Sequence, residues 1–294
     1  MMNKIYDDIT IVTVLYNSGK INESFFDNLN SFKRIVVDNG KNAEILDKLK
    51  TYKNIKIISK NKNLGYGSAV NFAFENINTK FFLILNPDIN IDENAINELH
   101  NILKLYSDCG IVAPITFPDE DFYGSFPERN LKKLTLSNAL KSREFLLNSK
   151  IEGEICVDVT KWALLIKSEQ FKKVGGFNEK LFLFWEEIDL CRRFRSEKLS
   201  VIITPKSKAE HKQNKSSDSN FQNFLIKTYY HEYSPLVYFN VQKFSFFYFK
   251  RIMKYLFRGI CYLLILNFKK SLIYFLRLSA STKYFIDLKF SSEK

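Results

Sequence analysis

Along the first part of the chain, apolar residues come in short runs instead of strictly alternating with polar ones. Ile9–Leu15, Arg34–Val37, Ile55–Ser59, Phe81–Leu85 and Ile111–Ala113 predict five strands. Between them the apolar spacing turns helical, over Glu23–Phe32, Ala43–Lys50, Glu93–Tyr106, and from the loop Asn63-Leu64-Gly65-Tyr66-Gly67 to about Asn76. Strands alternating with helices predict βαβ units, hence an α/β fold with a mostly parallel sheet flanked by helices. Unbroken apolar strands fit that arrangement, because both faces of such a sheet are covered. Ligands of these sheets sit beyond the carboxyl ends of the strands. Three strand ends here carry polar signals: Tyr16-Asn17, Asp38-Asn39-Gly40 and Asn86-Pro87-Asp88.

The middle of the chain is less regular. Residues 117–150 hold Pro118, Gly124, Pro127 and many charges, and predict a flexible loop on the acceptor side of a site. Val157–Ile166 reads as one further strand. Val174-Gly175-Gly176-Phe177 breaks the chain, Trp185–Glu197 returns to helix, and Val201–Ile203 is a short strand with His211 in the polar loop beyond it.

Charge separates the last part of the chain from the rest. The net charge is +12, and residues 241–294 hold eleven Lys/Arg against two acids, leaving only +3 for residues 1–240. That basic stretch is also rich in Phe, Tyr, Leu and Ile. We expect an α/β domain over residues 1–235 and a basic, amphipathic helical extension over 236–294. Its longest apolar stretch, Gly259–Phe268, falls well short of the ~20 residues a spanning helix needs. On a helix, Lys243, Lys250, Arg251, Lys254 and Arg258 share one narrow arc, beside a broad face of Phe244, Phe247, Tyr248, Ile252, Tyr255 and Leu256. A basic stripe beside an aromatic face suits the surface of an anionic membrane. Packing against the main domain and self-association into a homo-oligomer are the other uses of such a face. The tail carries no nucleic-acid recognition motif, and no nucleic-acid partner is expected. The four cysteines are far apart and form no CxxC, which argues against a zinc ribbon, a thioredoxin-like site or a disulfide framework and suits a reducing, cytoplasmic setting. The N-terminus carries Asp7 and Asp8 and enters a strand at once, unlike a signal peptide.

Four places can carry chemistry. Gly65 and Gly67 either make a tight loop-to-helix turn or let the backbone approach a nucleotide. Asp88, directly after a strand, either caps a turn or binds a divalent cation. Glu186, Glu187 and Asp189 put three acids in four residues at a helix start, where the helix dipole stabilises them. One of them beside aromatics would gain a raised pKa suited to a general base. Asp189, with Arg192 and Arg193 at i+3 and i+4, reads as salt-bridged. His211 is either a solvated histidine or a metal ligand, while His100 and His231 read as structural.

In order along residues 9–215, six segments make the chain resemble a family 2 glycosyltransferase of the GT-A fold. They are Val14-Leu15-Tyr16-Asn17, Val36-Val37-Asp38-Asn39-Gly40, Asn63-Leu64-Gly65-Tyr66-Gly67, Leu85-Asn86-Pro87-Asp88, Gly175-Gly176-Phe177-Asn178-Glu179 and Trp185-Glu186-Glu187-Ile188-Asp189-Leu190-Cys191-Arg192-Arg193. The nearest subgroup is that of rhamnosyltransferase-like and galactofuranosyltransferase-like enzymes of bacterial surface polysaccharides. The resemblance implies a Rossmann-like sheet and a nucleotide-diphosphate sugar donor, with dTDP-rhamnose as the first guess. The acceptor would be a hydroxyl of a glycan or a lipid-linked sugar, and Mg²⁺ or Mn²⁺ would be the cofactor. It implies that Tyr16 and Asp38 line the nucleoside pocket, that Gly65 admits the donor, and that Asn86 approaches the ribose. Asp88 and His211 would hold the metal, Glu187 would be the catalytic base, and Trp185 would shape the acceptor site.

Asn86 stands where the family has the first Asp of Asp-x-Asp, and Glu187 stands where the base is usually Asp. The added methylene keeps Glu186 as the rival base. The Gln-x-x-Arg-Trp signature of processive synthases is absent, which implies one sugar added per encounter. An enzyme of this kind with a lipid-linked acceptor would work in the cytoplasm, peripherally on the inner face of the membrane. The competing readings are a catalytically inactive nucleotide-binding membrane scaffold and a sugar nucleotidyltransferase. The latter wants a longer Gly-rich basic loop than Tyr16-Asn17-Ser18-Gly19-Lys20.

Overall fold

The computed structural model describes residues 5–17, 24–40, 43–117, 126–127, 153–211, 221–241 and 246–292. The chain divides into two compact units: Met1–Asn178 with Glu187–Asp218, and Glu179–Glu186 with Ser219–Lys294.

The first unit is built on a sheet with ten strands among the described residues. Its strands are β1 (Ile9–Leu15), β2 (Lys33–Asp38), β3 (Ile55–Ser59), β4 (Phe81–Leu85), β5 (Ile89–Ile91), β6 (Cys109–Phe117), β7 (Phe126–Pro127), β8 (Ile155–Val159), β9 (Ala163–Lys167) and β10 (Ser200–His211). The order across the sheet is β3-β2-β1-β4-β9-β6-β10-β8-β7, with β5 paired to the end of β10. The helices are α1 (Ile5–Asp8), α2 (Ser24–Asp27), α3 (Ala43–Leu49), α4 (Tyr66–Phe74), α5 (Glu93–Leu105), α6 (Ser168–Lys173) and α7 (Glu186–Ser196).

Strand β4 shows why the central strands are apolar without interruption. Phe81, Leu83 and Leu85 enter one buried cluster with Ile11, Leu15, Phe26 and Leu99. Phe82 and Ile84 enter another, with Val12, Val37, Phe171 and Phe177. Both faces of the strand are thus covered, so each inward and outward position must be apolar. Helix α5 starts cleanly, because the Asp92 side chain accepts the Ala95 backbone N–H at 2.7 Å.

Strands β1, β2, β3 and β4 run parallel, as the alternation of strand and helix predicts. Strand β9 makes the sheet mixed, lying antiparallel between β4 and β6. Its apolar run reads the same in either direction, so hydropathy does not encode its sense. The expected strand Val157–Ile166 is two strands, broken at Thr160-Lys161-Trp162, where Trp162 takes φ 75°. The helix expected over Glu23–Phe32 is a single turn, with Phe25, Phe26, Leu29 and Phe32 still buried. Most of 117–150 lies outside the described residues.

Among the described residues, the second unit carries three helices: α8 (Phe221–Tyr238), α9 (Phe246–Leu264) and α10 (Phe268–Ser292). A buried carboxylate joins them. Glu232 on α8 accepts hydrogen bonds from Arg251 and the Tyr255 hydroxyl on α9, both at 2.8 Å, and from Ser281 on α10 at 2.9 Å. Gly259 on α9 lets α10 come close, since a Cβ there would lie 3.1 Å from the Phe275 ring. Among the described residues, no helix is long and apolar enough to cross a membrane.

Candidate active site

The parallel strands bring three of the polar segments to one edge of the first unit. Register pairs Leu15 with Asp38 and Asp38 with Ser59, so β1, β2 and β3 end together. Behind Asp38, Asn39 is almost fully buried and locks two loops. Its Nδ2 donates to Asn63 Oδ1 at 2.9 Å and to the Gly65 carbonyl at 3.3 Å, and its Oδ1 accepts the Leu64 N–H at 2.7 Å. Asn63 Oδ1 also takes the Gly65 N–H. Gly65 itself sits at φ 81°, a conformation that side chains disfavour, directly before α4.

Asp38 Oδ1 accepts the Gly40 N–H at 3.3 Å. Gly40 in turn packs so closely on Tyr16 and Asn17 that a Cβ there would lie 2.8 Å from Asn17 Oδ1. The three strand-end segments therefore form one connected surface of backbone amides and short polar side chains.

Helix α4 is held from its far side. Asn71 donates to the Phe177 carbonyl at 2.9 Å and accepts the Phe177 N–H at 2.8 Å. Gly176, at φ 68°, makes this clasp possible, since a Cβ would come within 2.6 Å of Asn71 Oδ1. Gly67 in α4 clears the way for Phe177 in the same manner. The glycines of Gly175-Gly176-Phe177 thus position the helix whose N-terminus faces the strand ends.

At the end of β4, Asn86 accepts the Tyr66 hydroxyl at 2.8 Å and donates its backbone N–H to the Trp162 carbonyl. Asp88 follows, buried, with Oδ2 3.3 Å from His211 Nε2. Its other oxygen, Oδ1, is buried with no hydrogen-bond partner among the described residues. His211 is not in a loop after the strand. It is the last described residue of a twelve-residue β10, paired with Ile89, and this register sets it beside Asp88. The sequence suggested a short strand because Thr204–Ser207, where a register shift interrupts β10, is polar.

Two residues that the sequence did not single out complete the cluster. The Trp162 ring lies on the His211 ring, 4.7 Å between centroids and tilted by 32°. The Lys161 ammonium sits over Trp162 at 4.2 Å. Lys161 also acts on Glu187. Burial raises the Glu187 carboxyl above the usual carboxylate range, while a backbone hydrogen bond and the Lys161 charge work against that rise. The break Thr160-Lys161-Trp162 was the available signal, two polar residues and a bulky ring interrupting an apolar run.

Asp189 is salt-bridged as expected, through Arg193 at 2.8 Å. Glu186 and Glu187 differ although adjacent in sequence. Glu186 is buried and belongs with Trp185 to the second unit, whereas Glu187 belongs to the first. Trp185 packs on Tyr238 and Phe239, 4.8 and 5.3 Å between centroids. Both Phe184 and Trp185 have positive φ. His100 is a core residue whose pKa is lowered by burial, stacked edge-on against Phe81.

The chemistry of this donor set suits a hard divalent cation. A buried carboxylate with an unsatisfied oxygen, next to an imidazole nitrogen, offers two ligands, and a bound phosphate and water could supply the rest. No group of three or more His, Cys, Asp and Glu that could hold a metal alone occurs among the described residues.

Comparison with solved structures places the fold. GalNAc-T7, in a crystal structure with UDP, GalNAc and Mn²⁺, superposes with a TM-score of 0.57 at 13% identity, over 79% of this chain and 51% of that one. The mannosyltransferase PcManGT from Pyrobaculum calidifontis, in complex with GDP-Man and Mn²⁺, gives 0.55 at 13% identity, over 81% and 65%. The fold is GT-A-like. The Glycosyl transferase family 2 model matches residues 10–169, more than half of the sequence, and the chain belongs to that family. Among characterised relatives, the low-salt glycan biosynthesis hexosyltransferase Agl10 of Haloferax volcanii is 27% identical over 205 residues, 66% of this chain and 64% of that protein. The N-acetylglucosaminyl-diphospho-decaprenol L-rhamnosyltransferase of Mycobacterium tuberculosis is 23% identical over 70% of this chain and 76% of its own length. The dTDP-rhamnosyl transferase RfbF of Shigella flexneri is 27% identical over 60% and 58%.

Proposed function

We propose that the protein is an inverting, metal-dependent, non-processive glycosyltransferase. It moves one sugar from a nucleotide-diphosphate donor to a hydroxyl of a glycan or lipid-linked acceptor, and dTDP-rhamnose is the donor of first choice. The observation that carries this reading is the buried Asp88 carboxylate, one oxygen at His211 and the other without a hydrogen-bond partner among the described residues, at the edge where the strand-end loops meet. Names of relatives that include two rhamnosyltransferases support the choice of sugar.

In this reading Tyr16 and Asp38 hold the nucleoside, the Gly65 backbone approaches the diphosphate, and Asn86 takes the ribose. Asp88 and His211 would hold Mg²⁺ or Mn²⁺, which when bound offsets negative charge on a departing nucleoside diphosphate. Glu187 accepts the proton of the acceptor hydroxyl. The acceptor oxygen forms the new bond to the anomeric carbon, and the bond from that carbon to the diphosphate oxygen breaks with inversion. A base with a raised pKa is matched to such proton transfer near neutral pH. Glu186 is the alternative base, and Trp185 contributes to acceptor binding.

The two tryptophans allow a direct test. In a Trp185→Phe background, emission comes from Trp162 alone, next to His211. Titration with Mn²⁺ and dTDP should quench it, and Asp88→Ala should abolish the metal-dependent part while an exposed control, Asp47→Ala, should not. Turnover of dTDP-rhamnose with a hydroxyl acceptor, releasing dTDP, should fail in Asp88→Ala and Glu187→Gln. A quench that ignores Asp88, or pyrophosphate as the product, would overturn the assignment.

A further inference from the structure

The second unit leaves one long face of α9 exposed. With ~100° between successive residues, Phe246, Met253, Phe257, Ile260 and Leu264 fall within an arc of roughly 60°. All five are exposed, Phe257 at 69% and Leu264 at 77%. The turn into α10 extends this surface, since Leu263, Ile265, Leu266 and Phe268 are exposed too. Lys250, Lys254 and Arg258 flank the apolar arc on one side, and Lys269 and Lys270 follow the turn.

The opposite side of α9 is the one that packs. Tyr255 and Gly259 are buried, Tyr255 and Arg251 reach Glu232, and the Gly259 carbonyl accepts the Ser271 hydroxyl at 2.8 Å. Arg251 therefore leaves the basic stripe in which its spacing puts it. What remains is a sorted surface: a packed seam, an apolar arc and a basic flank. A groove of about 760 Å³, lined by Phe221, Phe224, Lys227 and Leu272, shares Phe268 and Lys269 with this surface and continues its apolar character.

We infer that this face is a membrane-docking surface, with the apolar arc of α9 and the Leu263–Phe268 turn inserted among acyl chains of an anionic leaflet. The occupant follows from charge complementarity. Residues 241–294 carry +9, and the cations lie along the rim of the apolar arc, where lipid headgroups would meet them. A second copy packed antiparallel on this arc would set that basic flank against another basic flank. With no helix among the described residues fit to span, the geometry is that of a helix lying in the plane of the interface.

Flotation of the 294-residue chain with vesicles tests this. Wild type should float with phosphatidylglycerol–phosphatidylcholine vesicles and stay behind with phosphatidylcholine alone, and added salt should weaken the binding. Phe257→Asp and Leu264→Asp should each lower partitioning tenfold or more, while Phe257→Leu should retain it. Lys250→Ala and Lys254→Ala should each cost about fivefold, the effect of one charge near an anionic surface. All these positions are exposed, so circular dichroism melting should be unchanged. The lysine variants test the surface even if an aspartate variant melts early. Wild type that ignores anionic vesicles, or Asp variants that float normally, would overturn the inference. So would sedimentation showing a dimer that Phe257→Asp dissociates, which would make the face a contact between copies. Nucleotide binding to the first unit is read separately, and its failure leaves the flotation result standing.

Discussion

Replacing Asn39 with alanine should loosen the loop that presents Gly65 without touching a reacting group. The side chain makes three hydrogen bonds, to Asn63, Gly65 and Leu64, and only 3% of the residue is exposed. Each such bond contributes about 1 kcal/mol net, and a partner left buried and unsatisfied costs about 1–3 kcal/mol. The expected loss is about 3 kcal/mol, a large share of the ~5–15 kcal/mol that holds a domain folded. The assay is urea unfolding followed by Trp162 emission in the Trp185→Phe background, so that the first unit is read alone. Asn39→Asp separates hydrogen bonding from volume. It keeps the acceptor for Leu64 N–H but turns a donor into an oxygen facing Asn63 Oδ1 and the Gly65 carbonyl. It should therefore lose at least as much as alanine, despite its near-identical shape. In both variants Kd for a nucleoside diphosphate should rise, because the loop no longer holds its bound form. An Asn39→Asp protein as stable as wild type, within about 0.5 kcal/mol, would refute the role assigned to this side chain.

Glu187→Gln should stabilise the protein at pH 8 and have little effect at pH 4. Burial raises the folded carboxyl above its unfolded value of about 4.3, so the folded state holds the proton longer. Below the unfolded pKa both states are protonated. As pH rises the unfolded chain ionises first, and wild-type stability falls until the folded pKa is passed. Paired urea melts at the two pH values check the sign. Thiol labelling of the native protein should modify Cys156, which is exposed, and spare Cys109 and Cys191, whose thiols burial pushes up to about 12. Mass spectrometry of labelled peptides reads this, and early labelling of Cys191 would contradict it. Glu232→Ala should cost the second unit about 3 kcal/mol, because it strands the Arg251 charge and the Tyr255 hydroxyl. Trp185 emission in a Trp162→Phe background follows that unit, through its packing on Tyr238.

How far the sequence can be read depends on the kind of information each feature needs. Strands β1 to β4 and helix α5 are legible because burial on two faces, or on one helical stripe, writes a local period. The polar ends of β1, β2 and β4 are legible as a candidate site because sheet geometry gathers them. The sense of β9 is not written in its apolar run. The seat of His211 depends on β10 crossing a polar interruption and pairing with β5, a register that no local window contains. Trp162 matters because it stacks on a residue 49 positions later, and Arg251 turns inward because Glu232 lies 19 positions earlier. Helical spacing fixes which residues share a face but not which face finds a partner.

The place of β9 also sets an order of events during synthesis. Strand β4, Phe-Phe-Leu-Ile-Leu, is covered by β1 on one edge and by β9 on the other. From Leu85 to Lys167 the ribosome adds roughly 80 residues, about 4–16 s at ~5–20 residues per second. Throughout that interval β4 offers an unpaired, wholly apolar edge, the kind of template on which nascent chains join one another. Newly made protein should therefore lean on chaperones until β9 arrives, and a chain stopped before Ala163 should collect in inclusion bodies although its first four parallel strands are complete.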